Sequence, residues 1–585
     1  MIDCRGKTLP QIKKELMNVR GITNLNAFME PSLNYLIPFR EMKNLPKACS
    51  IINQALHENK IIGIHFDTDT DGTCSGGIMY NYLIHHISES KLKTYTDIGK
   101  AHGLKNFDID KMAECDVIII VDSLDNNIDK YKLLHDMGKT VIILDHHDIN
   151  PDIPYDDYAI LVSSQDKDYQ NHALCGAGVC LKVCLYLDIL NNTNYADKYY
   201  DLAACGLIAD MVDISETHME NRAIIYKGLS ESHNPAIQFI CGQYVFDSNA
   251  VSYYIAPKIN ALCRTSRNEE GYLIFTKYNE SEIAYIIDKM DEAKALQNAE
   301  VDRILSSGTE QVLDNITFMQ IHTDYGVSGL VANSLVEKYH KPAIVLYDEI
   351  SSDDNCLHGS ARSPMDMFRS YCENFDHVHT GGHEPAFGIW FDTPDDLHKY
   401  LDEINNNAQQ FKGQPKEADM LINIKDITVN LITFCQKFNF VSGMGSLSIE
   451  VELADMDSYT IGSFKNGKHT FIESSSPDTF TYRYAPKCIQ WNLPQDIFEK
   501  YVIENKLPNL HPKGTLQFGF KNTAQIICND LIPEDYVKEH TIKQDNSKDE
   551  TLHTNKDINK ILNIDNNTMF GVSDTEYKDI SMELS

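Results

Sequence analysis

Four groups of acidic residues and histidines, each at or just after an apolar segment, lie between residues 65 and 210. The first is HFDTDTDG (65–72), which follows IIGI; Asp122 follows VIII, Asp145-His146-His147 follow VIIL, and Asp210 ends GLIAD. Such apolar segments are typical of buried parallel strands, and open α/β sheets bind ligands where these strands end. We therefore expect the carboxylates and imidazoles to meet at one sheet edge and to hold divalent metal ions.

The residue types indicate which metal and which reaction. Hard divalent cations bind carboxylate oxygens, and a mixture with imidazole favours Mn²⁺ over Mg²⁺. In an extended segment Asp69 and Asp71 point to the same side, with His65 in phase, and Gly72 allows a sharp turn into the next helix. Two ions roughly 3.5–4 Å apart suit in-line attack on a phosphate. The sequence therefore predicts phosphodiester hydrolysis with two divalent ions, Mn²⁺ preferred or Mg²⁺.

Hydrophobic periodicity predicts the elements that position these groups. From about 46 to 235, strand patterns (IIGIHF, VIIIVD, VIILD, YAILVS) alternate with helical ones, which predicts a parallel sheet with crossover helices. Residues 281–306 predict a long helix that bridges two domains. A second α/β unit follows from about 312 to 412. After it LINIKDITVNLI, GSLSIEVELAD, HTFIES and TLQFGF have a β period, which predicts a small barrel or sandwich.

Composition restricts the setting more than the substrate. No stretch reaches the roughly 18 apolar residues of a membrane-spanning helix, and the first residues lack a signal-peptide apolar region. The fifteen cysteines show no CxxC spacing, so we interpret them as reduced thiols. We therefore expect a cytoplasmic protein without membrane contact. The net charge of −33 does not exclude a nucleic-acid substrate, because bound cations neutralise carboxylates, but it predicts salt-sensitive binding.

The motifs together resemble a known family. DTDTDGT (67–73), IVD (120–122), DHH (145–147) and GLIAD (206–210), in this order, resemble the motifs of the DHH phosphoesterase superfamily. IAPKINALCR (255–264) resembles a segment of the RecJ single-strand exonucleases, and DYGVSGLVANSLVEKYHKPAIVL resembles the start of their DHHA1 domain. HGSARS (358–363) and TGGHEPAFG (380–388) resemble the substrate-binding end of that domain.

The resemblance implies an α/β fold in which a DHH parallel-sheet domain is joined by a long helix to a DHHA1 α/β domain, followed by a β-rich OB-like domain. The implied boundaries are 1–45 for a helical lead-in, 46–250 for the DHH domain, 251–311 for a connecting segment with the long helix, 312–412 for the DHHA1 domain, 413–537 for the OB-like domain and 538–585 for a disordered tail.

The resemblance also implies roles for individual residues. One metal ion would be bound by His65, Asp69 and Asp122. The other would be bound by Asp71, His146 and Asp210, with Asp122 as the bridge. Asp145 would orient His146, and His147 would face the scissile phosphate. The strand would be bound by Arg264, Ser360, Arg362 and His383.

The implied function is a 5′–3′ exonuclease on single-stranded DNA in recombination, repair or replication. Expected partners are single-stranded nucleic acid, DNA favoured, and replication or recombination proteins, with a monomeric chain. Two alternatives remain: a short-oligonucleotide or cyclic-dinucleotide phosphodiesterase of the same superfamily, and an inactive replication scaffold. The chain departs from the RecJ pattern at Thr68, where Tyr is usual, at Leu262-Cys263, and at Asp324 and Phe387. The first departure lies in the active-site loop, and the others lie on the strand-binding side.

Overall fold

The computed structural model describes most of the chain up to residue 536. The described residues are 1–97, 103–104, 107–242, 245–267, 271, 273–348, 356–413 (without the side chain of 383), 417–441, 448–454, 456, 459–474, 486–491, 493–505, 507, 510–519, 523–528, 531–532 and 536. The tail predicted to be disordered, 538–585, lies outside them.

Strands and helices alternate along most of the described chain. The strands are β1 (Ile2–Asp3), β2 (Ile62–Phe66), β3 (Leu92–Tyr95), β4 (Val117–Val121), β5 (Thr140–Asp145), β6 (Ile160–Ser163), β7 (Gln311–Val312), β8 (Thr317–Ile321), β9 (Ala343–Tyr347), β10 (Leu357–Arg362), β11 (Val378–His383), β12 (Ala386–Phe391), β13 (Met420–Ile422), β14 (Val451–Leu453), β15 (Tyr459–Phe464), β16 (His469–Ser474), β17 (Lys487–Gln490), β18 (Lys513–Phe518) and β19 (Ala524–Cys528). The α-helices are α1 (Leu9–Arg20), α2 (Leu25–Met29), α3 (Leu45–His57), α4 (Thr70–Leu83), α5 (Asp129–Asp136), α6 (Gly176–Asn191), α7 (Tyr200–Ala209), α8 (Met219–Ser230), α9 (Pro235–Cys241), α10 (Ser248–Ala250), α11 (Ala256–Arg264), α12 (Glu280–Leu305), α13 (Ser328–Tyr339), α14 (Phe368–Cys372), α15 (Pro394–Asn407), α16 (Val429–Asn439) and α17 (Gln495–Asn505).

The first sheet is entirely parallel, as the sequence predicts, with the strand order β3-β2-β4-β5-β6. Its central strands are buried along their whole length, because helices cover both faces. The strand order reverses between β2 and β4, which creates the crevice where ligands of such sheets bind. Phe66 pairs with Val121, and Val121 pairs with Leu144, so β2, β4 and β5 end side by side at this crevice.

A second sheet follows the long helix α12, which matches the helix predicted over 281–306. Its strand order is β11-β12-β10-β9-β8-β7. One face carries an apolar core formed with α14 and α15, including Phe368, Phe387 and Leu397. On the other face, α13 packs on β8 and β9 through residues such as Val331 and Leu335. The α13 helix therefore covers only part of this second face.

These two sheets belong to one compact unit, Asn26–Pro415 with Val441–Leu447, and a second unit comprises Met1–Leu25, Lys416–Phe440 and Ser448–Ser585. The second unit contains a mixed sheet of order β1-β13-β14-β18-β19-β17-β16-β15. This sheet has more strands than a five-stranded OB barrel. The first residues were expected to form only a helical lead-in, but Ile2 pairs with Met420 in this sheet. The segment ITVNLI, predicted as strand, lies mostly in α16, because Thr428 caps a helix there by accepting from the Leu431 amide.

All fifteen cysteines are buried free thiols, as predicted. Among the described residues, no helix is both long enough and apolar enough to cross a membrane.

Arg222 is fully buried in α8 and connects three chain segments. Its guanidinium donates to the carbonyls of Phe28, Ile214 and Val441 and lies 3.6 Å from the Phe28 ring centroid. Arg222→Ala leaves these carbonyls unsatisfied, so we expect a loss of about 3 kcal/mol in the free energy of unfolding. Urea unfolding measures it. The control Arg303→Ala removes an exposed pair with Glu300 and should cost less than about 1 kcal/mol; equal losses would contradict the prediction.

Candidate active site

His65 is the most buried histidine of the predicted site, with 1% of its surface exposed at the end of β2. Among the described residues, neither of its ring nitrogens has a hydrogen-bond partner, and the nearest carboxylate oxygen, Asp97 Oδ2, is 3.7 Å from Nε2. Phe107 packs its ring edge-on at 4.9 Å and fixes its orientation. A buried imidazole without a hydrogen bond is costly unless another ligand binds its lone pair. A metal ion meets this requirement.

Asp122 follows β4 and is 2% exposed. Its backbone has φ = 51°, the left-handed region that a non-glycine residue occupies only where its surroundings enforce it, and its amide donates to the Leu144 carbonyl. The backbone of this turn is thus held in a strained conformation beside the crevice. Burial, together with the carboxylates of Asp71, Asp69 and Asp145, raises the pKa of Asp122 well above its usual value.

The Asp71 carboxylate accepts hydrogen bonds from the start of α6. Its Oδ1 accepts from the Cys175 thiol at 2.9 Å and from the Ala177 amide at 3.1 Å, while Oδ2 accepts from the Gly176 amide at 2.7 Å. The helix N-terminus favours a negative charge here, yet burial still raises the pKa of Asp71 to about 7. The α6 helix therefore fixes the position of this carboxylate at the crevice.

The three residues Asp145, His146 and His147, at the end of β5, have different roles. The imidazole Nε2 of His146 lies 3.0 Å from Asp122 Oδ1 and 3.8 Å from Asp71 Oδ2, so this nitrogen points to the place where both carboxylates meet. Asp145 Oδ1 lies 2.8 Å from the ring Nδ1 of His147 and accepts from the amides of His146 and His147. Asp145 was predicted to orient His146; in the structure its side chain accepts from the His146 amide and pairs with the ring of His147.

His147 is suited to face an anion. Burial lowers its pKa, but Asp145 more than offsets this effect, so that the pKa of His147 is raised to about 9. The Asp145 carboxylate therefore favours the protonated form of this ring. Its Nδ1 also lies 3.8 Å from Asp122 Oδ1.

Asp210 and Asp69 complete the predicted ligand set. Asp210 follows α7, and its Oδ2 lies 3.7 Å from Nδ1 of His146. Burial, and then the charge of Asp69, raises the pKa of Asp210 to about 7. Asp69 caps α4 by accepting from the Gly72 amide, which leaves it exposed at the mouth of the crevice.

The donor set fits divalent metal ions. A carboxylate oxygen of Asp122 and ring nitrogens of His146 and His147 lie within 4.8 Å of one another, and Asp122 and His146 are the two of these residues predicted to bind metal. Several carboxylates crowd beside them, with pKa values raised by burial and by one another, which is the environment that a bound cation would relieve. Carboxylate with imidazole suits Mn²⁺ or Mg²⁺.

Three of the predicted phosphate-binding residues, Arg264, Ser360 and Arg362, form a second cluster, which is cationic. Arg264 ends α11, and its carbonyl accepts from the Gly326 amide in the turn before α13. A Cβ on Gly329, in the first turn of α13, would lie 2.6 Å from Arg362 Nη2 and 3.5 Å from Ser360 Oγ. The side chains of Arg362 and Ser360 therefore lie directly over the start of this helix, where amide groups favour anions.

The arginines of this cluster carry uncompensated charge. Among the described residues, neither guanidinium forms an ion pair with a carboxylate; Arg362 donates only to the carbonyls of Ala361 and Phe387. Burial, and then the charge of Arg264, lowers the pKa of Arg362 to about 10. Burial, and then the charge of Arg264, lowers the pKa of Lys294 of α12 as well. A phosphate at the start of α13 would neutralise charge on Arg362.

An ion pair connects the two halves of the site. Arg369 Nη1 lies 3.8 Å from Asp148 Oδ2, next to the DHH triplet, and the same nitrogen donates to the Gly382 carbonyl in the hairpin of β11 and β12. Arg369 therefore joins the hairpin of β11 and β12 to the residue that follows the DHH triplet. The side chain of His383 itself lies outside the described residues, so its role stays a prediction.

Sequence reasoning did not identify several residues that position the site. Asn260 Oδ1 accepts from both the amide and the hydroxyl of Thr70, so it joins α11 to the first acidic loop. The Cys175-Gly176-Ala177 segment binds Asp71, and Lys294 adds a cation. Asn260 lies within the quoted segment IAPKIN, and Gly176 begins a helix, which are the signals that could have indicated them.

Gly206 in α7 supplies space for the Asp71 carboxylate. A Cβ there would clash with Asp71 Oδ1 and with Ala177. We expect Gly206→Ala to displace the carboxylate and to lower metal-dependent hydrolysis about 10- to 100-fold, the effect typical of losing a group that orients a ligand. The control Gly77→Ala introduces a milder close contact in the same core, 3.0 Å from Phe275 Cβ and away from the carboxylates. Steady-state kinetics should show little change for Gly77→Ala; similar losses in both variants would indicate a general packing effect.

Comparison with known proteins bears on these two clusters. Residues 60–207 match the DHH family, N-terminal domain. The chain is 30% identical over 441 residues to the single-stranded-DNA-specific exonuclease RecJ of Bacillus subtilis (strain 168), covering 70% of this chain and 54% of that protein. It is 25% identical over 381 residues to the SPbeta prophage protein named as single-strand DNA-specific exonuclease YorK in the same organism, covering 59% of this chain and 65% of that one. It thus spans less than two thirds of either relative.

Solved structures show the same fold. RecJ of Thermus thermophilus in complex with Mn²⁺ superposes with a TM-score of 0.65 at 18% identity, covering 88% of this chain and 74% of that one. The complex of the same protein with Mg²⁺ gives a TM-score of 0.59 at 18% identity, covering 88% and 73%. At this identity the similarity concerns the fold.

Proposed function

We propose that this chain is a metal-dependent exonuclease that hydrolyses single-stranded DNA from the 5′ end, because its residues 60–207 match the DHH family, N-terminal domain. The relatives described above are named for activity on single-stranded DNA. The polarity, and a role in recombination, repair or replication, come from the RecJ resemblance. The same proposal assigns 46–250 to a DHH domain and 312–412 to a DHHA1 domain, in a cytoplasmic protein.

One observation carries the proposal: an acidic, metal-ligating cluster and an unpaired cationic cluster lie on either side of the same site. Arg369 contacts both Asp148, which follows the DHH triplet, and the Gly382 carbonyl in the hairpin of β11 and β12. Arg362 lies at the end of β10, which pairs with β12 of this hairpin. A phosphodiester in the crevice would then lie with its neighbouring phosphates over Arg264, Arg362 and the start of α13. Planar guanidinium groups bind phosphate oxygens bidentately, so these arginines suit a strand of several phosphates.

We assign His65, Asp69 and Asp122 to one metal ion and Asp71, His146 and Asp210 to the other, with Asp122 shared. The solved RecJ structures with Mn²⁺ and with Mg²⁺ support this choice of ions. Bound there, divalent ions would lower the pKa of water and neutralise charge on phosphate. The chain's own contribution is orientation: α6 fixes Asp71, and Asp145 holds the His147 ring through Nδ1. His147 would then face the scissile phosphate and stabilise the developing negative charge.

The substrate class is tested by digestion of 5′-labelled and 3′-labelled single-stranded oligonucleotides with Mn²⁺, beside a dinucleotide and a cyclic dinucleotide. We expect the 5′ label to be released as mononucleotide by the unchanged chain and not by His146→Ala. Cleavage confined to the dinucleotides would instead support a short-substrate phosphodiesterase. No metal-dependent cleavage of any substrate would support the inactive scaffold.

A further inference from the structure

Three aromatic rings form a row on the second sheet, beyond the predicted phosphate-binding residues. Trp390 of β12 lies between His358 of β10 and His379 of β11, and all three are in register across the strands. We propose that this row, centred on Trp390, is a platform on which a nucleobase of the bound strand stacks, next to the nucleotides whose phosphates contact Ser360 and Arg362. The proposal rests on the proposed function and adds a binding site for bases to it.

The rings are arranged for stacking. The Trp390 ring is tilted by 14° from that of His358 and by 19° from that of His379, with centroids 5.8 Å and 5.6 Å apart. The three rings are therefore nearly parallel along one line of the sheet. His358 and Trp390 are half-buried, and His379 is exposed.

The row lies on the same face as the phosphate-binding side chains. Along β10, Leu357 and Ala361 point into the apolar core, so His358, Ser360 and Arg362 point to the opposite face. Trp390 on β12 and His379 on β11 share this face through the register, and α13 does not pack on these two strands through its apolar core. Ser360 and His358 are two residues apart, roughly 7 Å, which is comparable to one repeat of an extended nucleic-acid strand.

Two paired glycines, Gly388 and Gly381, lie between the row of rings and the register position of Arg362. Ser360 pairs with Gly388, which pairs with Gly381. A Cβ on Gly381 would lie 3.5 Å and 3.7 Å from two carbon atoms of the Trp390 ring, so the indole leans over these glycines towards the phosphate-binding end. A Cβ on Gly388 would meet only backbone carbonyl oxygens, so a sugar can approach the sheet closely at this glycine, between Trp390 and Arg362.

Asp392 keeps one end of the row in place. Its Oδ1 lies 2.8 Å from His379 Nε2, and its Oδ2 lies 2.8 Å from Nδ1 of His377. Two histidines thus share one carboxylate, which limits rotation of the His379 ring beside Trp390. A ring whose orientation is fixed in advance loses little conformational entropy when a base stacks on it.

Base stacking on an aromatic side chain contributes about 1–3 kcal/mol per base and tolerates any sequence. A chain with a net charge of −33 gains little from long-range attraction to a strand. Local stacking beside a small cationic cluster would therefore supply binding energy that the overall charge does not.

The experiment uses the fluorescence of Trp390. The chain has two tryptophans, so Trp491→Phe leaves Trp390 as the single one. We expect saturable quenching when a single-stranded oligonucleotide is added without divalent cations, so that the strand stays intact. A strand of the same length with abasic sites should bind without this quenching.

Trp390→Ala should weaken oligonucleotide binding about 10-fold, within the range for one lost stack, and should leave dinucleotide hydrolysis unchanged because a dinucleotide is too short to reach the row. Trp390→Phe keeps a ring and should stay within about 3-fold of the unchanged chain. If the strand is bound and cut but neither Trp390 fluorescence nor Trp390→Ala affinity changes, the platform is wrong while the exonuclease proposal survives. If no strand is bound or cut by the unchanged chain, the exonuclease proposal fails first, and the platform fails with it.

Discussion

Asp122→Asn should remove nearly all hydrolysis and at the same time stabilise the metal-free protein. We expect activity to fall on the order of 10³-fold or more, as for removal of a group that stabilises charge at the reacting centre, because Asp122 is the carboxylate closest to His146 Nε2. Burial and neighbouring carboxylates raise its pKa, so its ionised form is costly without a metal ion. Asparagine removes that cost, keeps the shape and tolerates φ = 51°.

The measurement is steady-state kinetics with Mn²⁺ together with thermal unfolding in chelator. The matched control is Asp116→Asn, at the opposite end of β4, where the carboxylate accepts from the Ile61 amide. This variant should keep its activity and should not gain stability. Loss of stability in Asp122→Asn without metal would show that the carboxylate is held by contacts within the protein and not by a cation.

Arg264→Ala should weaken strand binding while raising the stability of the protein. A hydrogen bond from a charged group contributes about 1.5–3 kcal/mol, so we expect kcat/KM on a long strand to fall on the order of 10²-fold, mainly through KM. Each lost phosphate contact should also reduce the slope of log K against log salt by about 0.7. Stability should rise because Arg264 is a half-buried cation, and its charge adds to the effect of burial in lowering the pKa values of Arg362 and Lys294.

The matched control is Arg267→Ala, three residues beyond Arg264, where the side chain is half exposed and lies 3.9 Å from Glu292. It should change KM and the salt slope little. An unchanged salt slope in Arg264→Ala would mean that this guanidinium does not contact the strand's phosphates, and the cationic cluster would then need another ligand.

Local sequence patterns determined the elements and the position of the acidic groups along them. The runs before His65, Asp122 and Asp145 are apolar at every position, which is a local sign of a strand buried on both faces. Parallel strands end at the same edge, so the convergence of these residues follows from fold class. The long helix was predicted within one residue of its bounds, because 26 residues without Pro or Gly keep one helical period.

Tertiary structure decided which groups contact one another, because such partners are far apart in sequence and depend on packing. Gly206 and Cys175 lie more than 100 residues from Asp71, and only the packing of α4 against α6 and α7 brings them to its carboxylate. Asp145 binds the ring of His147 because the chain leaves β5 in a turn that no pattern specifies. Strand register likewise aligned Trp390 with two histidines, since neighbours across a sheet are set by pairing and not by sequence distance.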